Sequence, residues 1–314
     1  MRVLVTGASG FIGRRLVSKL KGAVVLSRDP EAARRALGDV EAHRWEPAEG
    51  PPPAAALEDV EAVFNLAGES VAGRWSTERK RKILESRVNA TRNLVSAIAA
   101  RRSGARPAVL ISASAVGYYG PRGEDLLDES APAGDDFLAE VCVAWEAEAA
   151  RAREVGVRVV SPRIGIVLGP GGGALRSLLR PFKLGLGGRL GDGKQWMSWI
   201  HLDDVVGLLL HAKETRAVAG AMNTVAPAPV TNREFTRALG AALMRPALLP
   251  VPSFALRIAL GEFAGALLGS QRVEPRVALA TGYRFAWPSL DEALRDCVGK
   301  PAVQSRPSTG TAPA

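Results

Sequence analysis

Residues Thr6-Gly7-Ala8-Ser9-Gly10-Phe11-Ile12-Gly13 place three glycines at a spacing that suits one kind of chemistry. An apolar run, Val3–Val5, leads directly into them. Gly7 permits a tight turn, Gly10 lets the backbone approach a pyrophosphate, and Gly13 lets the following helix pack closely on the strand. The anion would rest on free N–H groups at the helix start, with Thr6, Phe11 and Ile12 beside it. About twenty residues on, a second apolar run ends in Leu26-Ser27-Arg28-Asp29. A NAD site carries an acid there for the ribose 2′-OH, whereas a 2′-phosphate is met by arginine. Ser27 and Arg28 in that place favour NADP(H) over NAD(H), Arg28 pairing with the phosphate and lying over the adenine face. The alternative leaves Arg28 in solvent with Asp29 on the ribose. Asp29 could also simply cap the next helix.

These residues need a scaffold that brings strand ends together. Up to about residue 165, short β-rich runs alternate with helical patterns. Strands are predicted at Val3–Thr6, Ala23–Ser27, Glu41–Arg44, Ala62–Leu66, Ala108–Ser112 and Val157–Pro162. Helices are predicted from Phe11 to about Leu20, near Pro30–Leu37, from Thr77 to Ala100 and from Phe137 to Val155. Near-continuous apolar strands between helices indicate a parallel sheet covered on both faces. The predicted fold is α/β, a Rossmann-type doubly wound sheet over residues 1–168. A smaller C-terminal α/β region on the substrate side follows at 169–300, with segments free to cross back, and 301–314 form a flexible tail. Phe254–Leu268, broken by Arg257 and Glu262, reads as one amphipathic helix rather than a membrane span.

Composition narrows the function classes. The net charge is +9, but the 41 Lys and Arg are interleaved with acids and aromatics make up only 5%. That pattern lacks the concentrated basic stripe of a nucleic-acid surface, and no nucleic-acid or membrane partner is expected. Two cysteines, Cys142 and Cys297, exclude a disulfide framework or a CxxC site. Three histidines form no metal motif, so no metal is expected, and a cytoplasmic location is the reading.

Further segments carry a resemblance. They are Asn65-Leu66-Ala67-Gly68-Glu69-Ser70, Glu85 to Thr91, Ser112-Ala113-Ser114-Ala115-Val116-Gly117-Tyr118-Tyr119-Gly120, Pro162-Arg163-Ile164-Gly165, Trp199 to Val205, and Gly269 to Val273 with Pro275. With the glycine loop, they make the chain resemble the extended short-chain dehydrogenase/reductase superfamily over nearly its whole length. Within it, the chain is most similar to the atypical "epimerase family proteins", including their DUF1731-like C-terminal segment. The resemblance implies NADP(H) contacts from Leu66, Ala67, Gly68, Arg87, Ser112, Pro162, Arg163 and Gly165 as well as the glycine loop. It implies a substrate pocket bordered by Glu69, Ser70, Tyr118, Tyr119 and Trp199. Asp203 or Asp204 is expected to cap the helix that follows His201.

Hydride-transferring members of that superfamily use a serine or threonine with Tyr-x-x-x-Lys on one helix face, the lysine lowering the tyrosine pKa. Here the serine is present as Ser112 or Ser114, but the helix places Phe137 and Val141, or Leu138 and Cys142, in the paired positions. Tyr118 and Tyr119 are the candidate substitutes as proton donors. Two functions therefore compete. One is an NADP(H)-dependent oxidoreductase or epimerase acting on a small polar, sugar-like substrate. The other is a non-catalytic NADP(H) sensor or regulatory protein. The long Thr77–Ala100 helix is a candidate homodimer face, and light scattering is expected to show twice the chain mass; a monomer mass would remove the idea.

Overall fold

The computed structural model describes residues 2–299; the tail predicted at 301–314 lies outside the described residues. Strands β1 (Arg2–Thr6), β2 (Ala23–Ser27), β3 (Glu41–Arg44), β4 (Val60–Asn65), β5 (Val109–Ser112), β6 (Arg158–Ile164) and β7 (Gly220–Thr224) form one parallel sheet. The order is β7-β6-β5-β4-β1-β2-β3, with Ser114–Ala115 paired beside β6. The chain therefore crosses over between β3 and β4, and the crevice at the carboxyl ends of β1 and β4 is the switch point where such sheets take ligands.

Alternation along the strands explains the layers. Val3 and Val5 point into a core with Leu16, Val205 and Leu208, while Leu4 points to the opposite core with Leu94, Ile98 and Val159. Helices α1 (Phe11–Val17), α2 (Pro30–Leu37), α3 (Thr77–Ala99) and α4 (Phe137–Ala150) follow the first strands. Asp29, Ser76 and Asp136 cap α2, α3 and α4 by accepting from the N–H groups of Ala32, Arg79 and Ala139. Two helices are shorter than the periodicity suggests. The first ends at Val17, and after Ala150 the chain tightens into a 3-10 turn, Arg151–Val155, that stops at left-handed Gly156.

Residues beyond 169 supply elements both to the large sheet's layers and to a separate core. Helix α5 (Gly173–Lys183) is followed by α6 (Leu202–Glu214), which covers the sheet, and then by β7, which extends it. Helix α7 (Asn232–Leu243), together with Leu168, Leu175, Phe182 and Leu294, encloses a separate core. The stretch Phe254–Leu268 is two helices, α8 (Ser253–Leu260) and α9 (Phe263–Leu268), because Gly261 turns the chain at φ +60. No helix among the described residues is long and apolar enough to cross a membrane.

Helix α6 corrects one expectation. Its cap is His201, whose Nδ1 accepts from the N–H of Asp203. Asp203 pairs instead with Arg15 at 2.6 Å. Asp204, fully buried, accepts from the Tyr283 hydroxyl and from the N–H groups of Ala286 and Trp287, clamping the C-terminal segment onto α6. Burial lowers the His201 pKa from its ordinary 6.5, although Asp203 and Asp296 oppose the shift, so the fold prefers the neutral ring. Its contribution to stability is complete above the unfolded pKa and falls as pH drops through 6.5 toward the lower folded value. His201→Asn keeps a capping acceptor and cannot titrate. The urea midpoint of this variant is expected to vary less than wild type between about pH 7.5 and about pH 5.5; an identical dependence would remove His201 as the cause.

Candidate functional site

The switch-point crevice holds a cleft of about 490 Å³. Thr6, Gly7, Ser9 and Gly10 line it from the glycine loop, Ser27 and Arg28 from the end of β2, and Leu66 to Glu69 from the end of β4. Trp45 to Ala48 and the α3 residues Lys82, Glu85, Ser86 and Asn89 complete the walls. Glu85, Ser86 and Asn89 lie in the segment Glu85 to Thr91 that carries the resemblance, whereas Trp45 to Ala48 come from a loop that no local motif marks.

The loop geometry follows from its glycines. Gly7 has φ +66, and a Cβ there would stand 2.7 Å from the Leu66 carbonyl. A Cβ on Gly13 would stand 2.7 Å from the Ala8 Cα and press harder still on the Gly7 carbonyl. Gly10 is the N-cap of α1 and offers no side chain, leaving the first-turn N–H groups uncapped. Thr6 does not face a ligand with its hydroxyl. Its Oγ1 donates to Asn65 Oδ1 at 2.8 Å and accepts from the N–H groups of Leu66 and Ala67, stitching β1 to β4. Phe11 packs against Gly172 and Gly173, and Ile12 leans on the core below α1, so only their backbone can serve an anion.

At the end of β2, the Asp29 carboxylate accepts from the Ala32 N–H at 2.9 Å, and Ser27 Oγ donates to the Asp29 carbonyl. The acid near the expected ribose position is thus engaged as a helix cap, while Arg28 borders the cleft.

The expected reaction end differs from the sequence reading in several places. Ser112 is 1% exposed, and its Oγ accepts from Asn65 Nδ2, which also donates to Thr91. Ser112 is therefore an internal support rather than a reactive hydroxyl. Ser114 Oγ donates to Glu146 at 2.7 Å. Tyr119 is fully buried, donates to Asn223 Oδ1 and accepts from Arg163, and burial pushes its pKa up to about 12 despite those partners. It is unsuited to proton exchange in an open pocket. Trp199 is likewise no pocket wall: it lies fully buried in the C-terminal core and donates to the Ala228 carbonyl. Tyr118 alone of the four candidate catalytic groups has a hydroxyl without a hydrogen-bond partner among the described residues, its ring stacked 3.4 Å from the Arg163 guanidinium.

Arg163, Pro162 and Gly165 also depart from the expected cofactor contact. Arg163 donates from Nε and Nη2 to both oxygens of Glu146, at 2.9 and 3.0 Å. Burial works against its charge, but Glu146 and Tyr119 outweigh that and hold the guanidinium well above its usual pKa range. Pro162 pairs with Met222 inside the sheet, and Gly165 makes room for the Ser198 carbonyl. None of the three borders the cleft described above.

Of the two registers for the missing acid–base pair, the structure supports Leu138 and Cys142. Leu138 lies against Gly117, and the Cys142 thiol donates to the Ala115 carbonyl. Burial pushes that thiol up to about 11. A cation does stand nearby, brought from α3 rather than α4. Arg87 lies over Trp145 and beneath Gly68, with burial lowering its pKa and Cys142 and Glu69 opposing. Glu69 lines the cleft, whereas Ser70 turns to its own loop, accepting from the Ala72 N–H.

His201, Asp296 and Cys297 converge within 4.8 Å. Because His201 Nδ1 accepts a backbone N–H, the neutral ring carries its proton on Nε2, which donates to Asp296 at 3.2 Å. That tautomer leaves no ring lone pair for a metal, and the trio reads as a pin for helix Leu290–Cys297.

A seven-stranded parallel sheet with a glycine loop at its switch point and a serine loop at the end of β5 defines a Rossmann-type protein of short-chain dehydrogenase/reductase architecture. The chain belongs to the NAD dependent epimerase/dehydratase family, which matches residues 3–224; a domain of unknown function, DUF1731, matches residues 251–297. It is 43% identical over 308 residues to "Epimerase family protein SDR39U1 homolog, chloroplastic" of Arabidopsis thaliana, covering 94% of this chain and 86% of that one. It is 41% identical over 307 residues to "Epimerase family protein SDR39U1" of Mus musculus, covering 95% and 100%. The crystal structure of human epimerase family protein SDR39U1 (isoform 2) with NADPH superposes with a TM-score of 0.83 at 38% identity, covering 95% of this chain and 99% of that one.

Proposed function

We propose that this protein binds NADP(H) in the switch-point cleft, with Arg28 meeting the 2′-phosphate. The observation that carries the reading is the division of labour after β2: Arg28 borders the cleft while the Asp29 carboxylate caps α2. The glycine cradle fits a pyrophosphate, since Gly10 puts no side chain between the cleft and the uncapped N–H groups that start α1. The human relative bound to NADPH supports the same choice.

The chemistry that fits this family is an oxidoreductase or epimerase reaction on a small polar substrate. When bound, the nicotinamide would supply hydride exchange. Tyr118 is then the proton donor, and Arg87 supplies the positive charge that a lysine on α4 would otherwise bring. A second reading, an NADP(H) sensor without turnover, is favoured by Leu138 and Cys142 standing at the paired positions.

Calorimetric titration of cofactor-stripped protein is expected to show NADPH bound more tightly than NADH. Arg28→Ala is expected to weaken NADPH by roughly tenfold or more, the worth of a charge-assisted phosphate contact, and to leave NADH nearly unchanged. Equal affinity for both cofactors in the wild type would sink the NADP(H) assignment. NADPH oxidation by a panel of small carbonyl compounds, abolished in Tyr118→Phe, separates enzyme from sensor: tight binding with no turnover in the wild type leaves the sensor.

A further inference from the structure

Outside the cleft, three segments converge on a second hollow of about 420 Å³. The loop before α6 contributes Arg189, helix α7 contributes Arg233 and Arg237, and the loop after α7 contributes Arg245 and the apolar Leu248. Arg233 and Arg237 are four residues apart and share one helix face.

Two glycines allow the convergence. Gly193, at φ +72, would bring a Cβ to 3.1 Å from Arg189 and 3.3 Å from Arg233, so a bare backbone lets both side chains lie across it. Gly240 would bring a Cβ to 2.9 Å from Ala247 and 3.0 Å from the Arg245 carbonyl, so its bare surface lets the next loop fold onto α7. Left-handed Met244 reverses the chain between them.

None of the four arginines forms an ion pair among the described residues. Arg233 donates to the Asp192 carbonyl. The nearby Glu234 is engaged in the capping box of α7, accepting from the N–H and hydroxyl of Thr231. A neighbouring hollow shares Arg233 and Arg237 and adds Lys194 together with Glu124 and Glu234, so the acids lie on that side and not in the basin. Four guanidinium groups around one concavity repel each other unless an anion joins them, and their planar forks match phosphate oxygens in pairs. The arrangement is a basin rather than a stripe, and its lining has no aromatic residue for stacking a base, which disfavours nucleic acid.

We infer that this arginine basin is a binding site for a small ligand carrying a diphosphate, separate from the glycine-loop cleft. The phosphates sit among Arg189, Arg233, Arg237 and Arg245, and Leu248 receives any apolar portion.

Inorganic pyrophosphate titrated by calorimetry into the full chain carrying one equivalent of NADPH, which fills the glycine-loop cleft, tests this. One saturable site per chain is expected, weakened roughly tenfold or more in Arg237→Gln and in Arg245→Gln. It is expected to be unchanged in Arg180→Gln, an exposed arginine outside the basin. All four side chains are exposed, so melting temperatures are expected to match wild type and to show that the variants are folded. Binding seen only without NADPH, and kept in Arg237→Gln, would place the anion in the cleft and overturn the inference. So would non-saturating binding, or arginine-dependent binding to phosphatidylserine vesicles or duplex DNA with none to pyrophosphate.

Discussion

Gly13→Ala is expected to abolish nucleotide binding and to destabilise the fold together. The added Cβ would stand 2.7 Å from the Ala8 Cα and still closer to the Gly7 carbonyl, so α1 must move away from β1. Overpacking of this kind costs about 1–3 kcal/mol. The larger consequence is positional. The uncapped N–H groups at the start of α1 move with the helix and out of hydrogen-bond distance of the anion. NADPH titration and urea unfolding of the variant check the two effects separately. Wild-type affinity in a destabilised Gly13→Ala would show that α1 does not hold the anion.

The second large effect is expected at the pair Glu146–Arg163. Glu146→Gln leaves a guanidinium whose side chain is 5% exposed without a counter-charge, with one amide oxygen in place of the carboxylate beside the Tyr119 hydroxyl and the Glu129 carbonyl, and with an amide NH2 facing its own N–H groups. Removing one partner of a buried pair costs about 3–5 kcal/mol, whereas replacing both with apolar groups is often neutral. Urea unfolding is therefore expected to show a large loss in Glu146→Gln and a substantial recovery in Glu146→Leu/Arg163→Met. A loss below about 1 kcal/mol in the single variant would place the pair with weak surface bridges. The pair ties α4 to β6 and to the loop carrying Tyr118, so loosening it also releases that ring from its stack on Arg163.

How much of this the sequence discloses depends on the range of the interaction. The glycine loop, the Ser27-Arg28-Asp29 end of β2 and the apolar strands are local patterns. Each is legible because it obeys a short period or a fixed turn geometry. The fates of Ser112, Ser114, Tyr119, Arg163 and Trp199 were not legible. Their partners lie 47, 32, 104, 17 and 29 residues away, at Asn65, Glu146, Asn223, Glu146 and Ala228. A polar residue near a strand end looks the same in sequence whether it faces a ligand or an internal network. The cap of α6 was missed for a related reason: two aspartates outrank a histidine by propensity, but tertiary partners at Arg15 and at Tyr283–Trp287 had claimed both. Missing chemistry was easier to read. The absence of Tyr-x-x-x-Lys is visible in residue types alone, and the structure chose the register.

The late arrival of β7 has a consequence for synthesis of the chain. Strand β6 ends at Ile164, yet its outer neighbour, β7, ends only at Thr224. A ribosome adding roughly 5–20 residues per second takes about 3–12 s to make the intervening length. During that interval the nascent sheet presents the bare hydrogen-bonding edge of β6, a template for pairing with another chain. The Asp204 clamp cannot close until Trp287 has also been made. Nascent chains that stall between residues 164 and 224 are therefore the form of this protein most in need of chaperone cover, and engineered truncations within that range would aggregate rather than yield an isolated nucleotide-binding half.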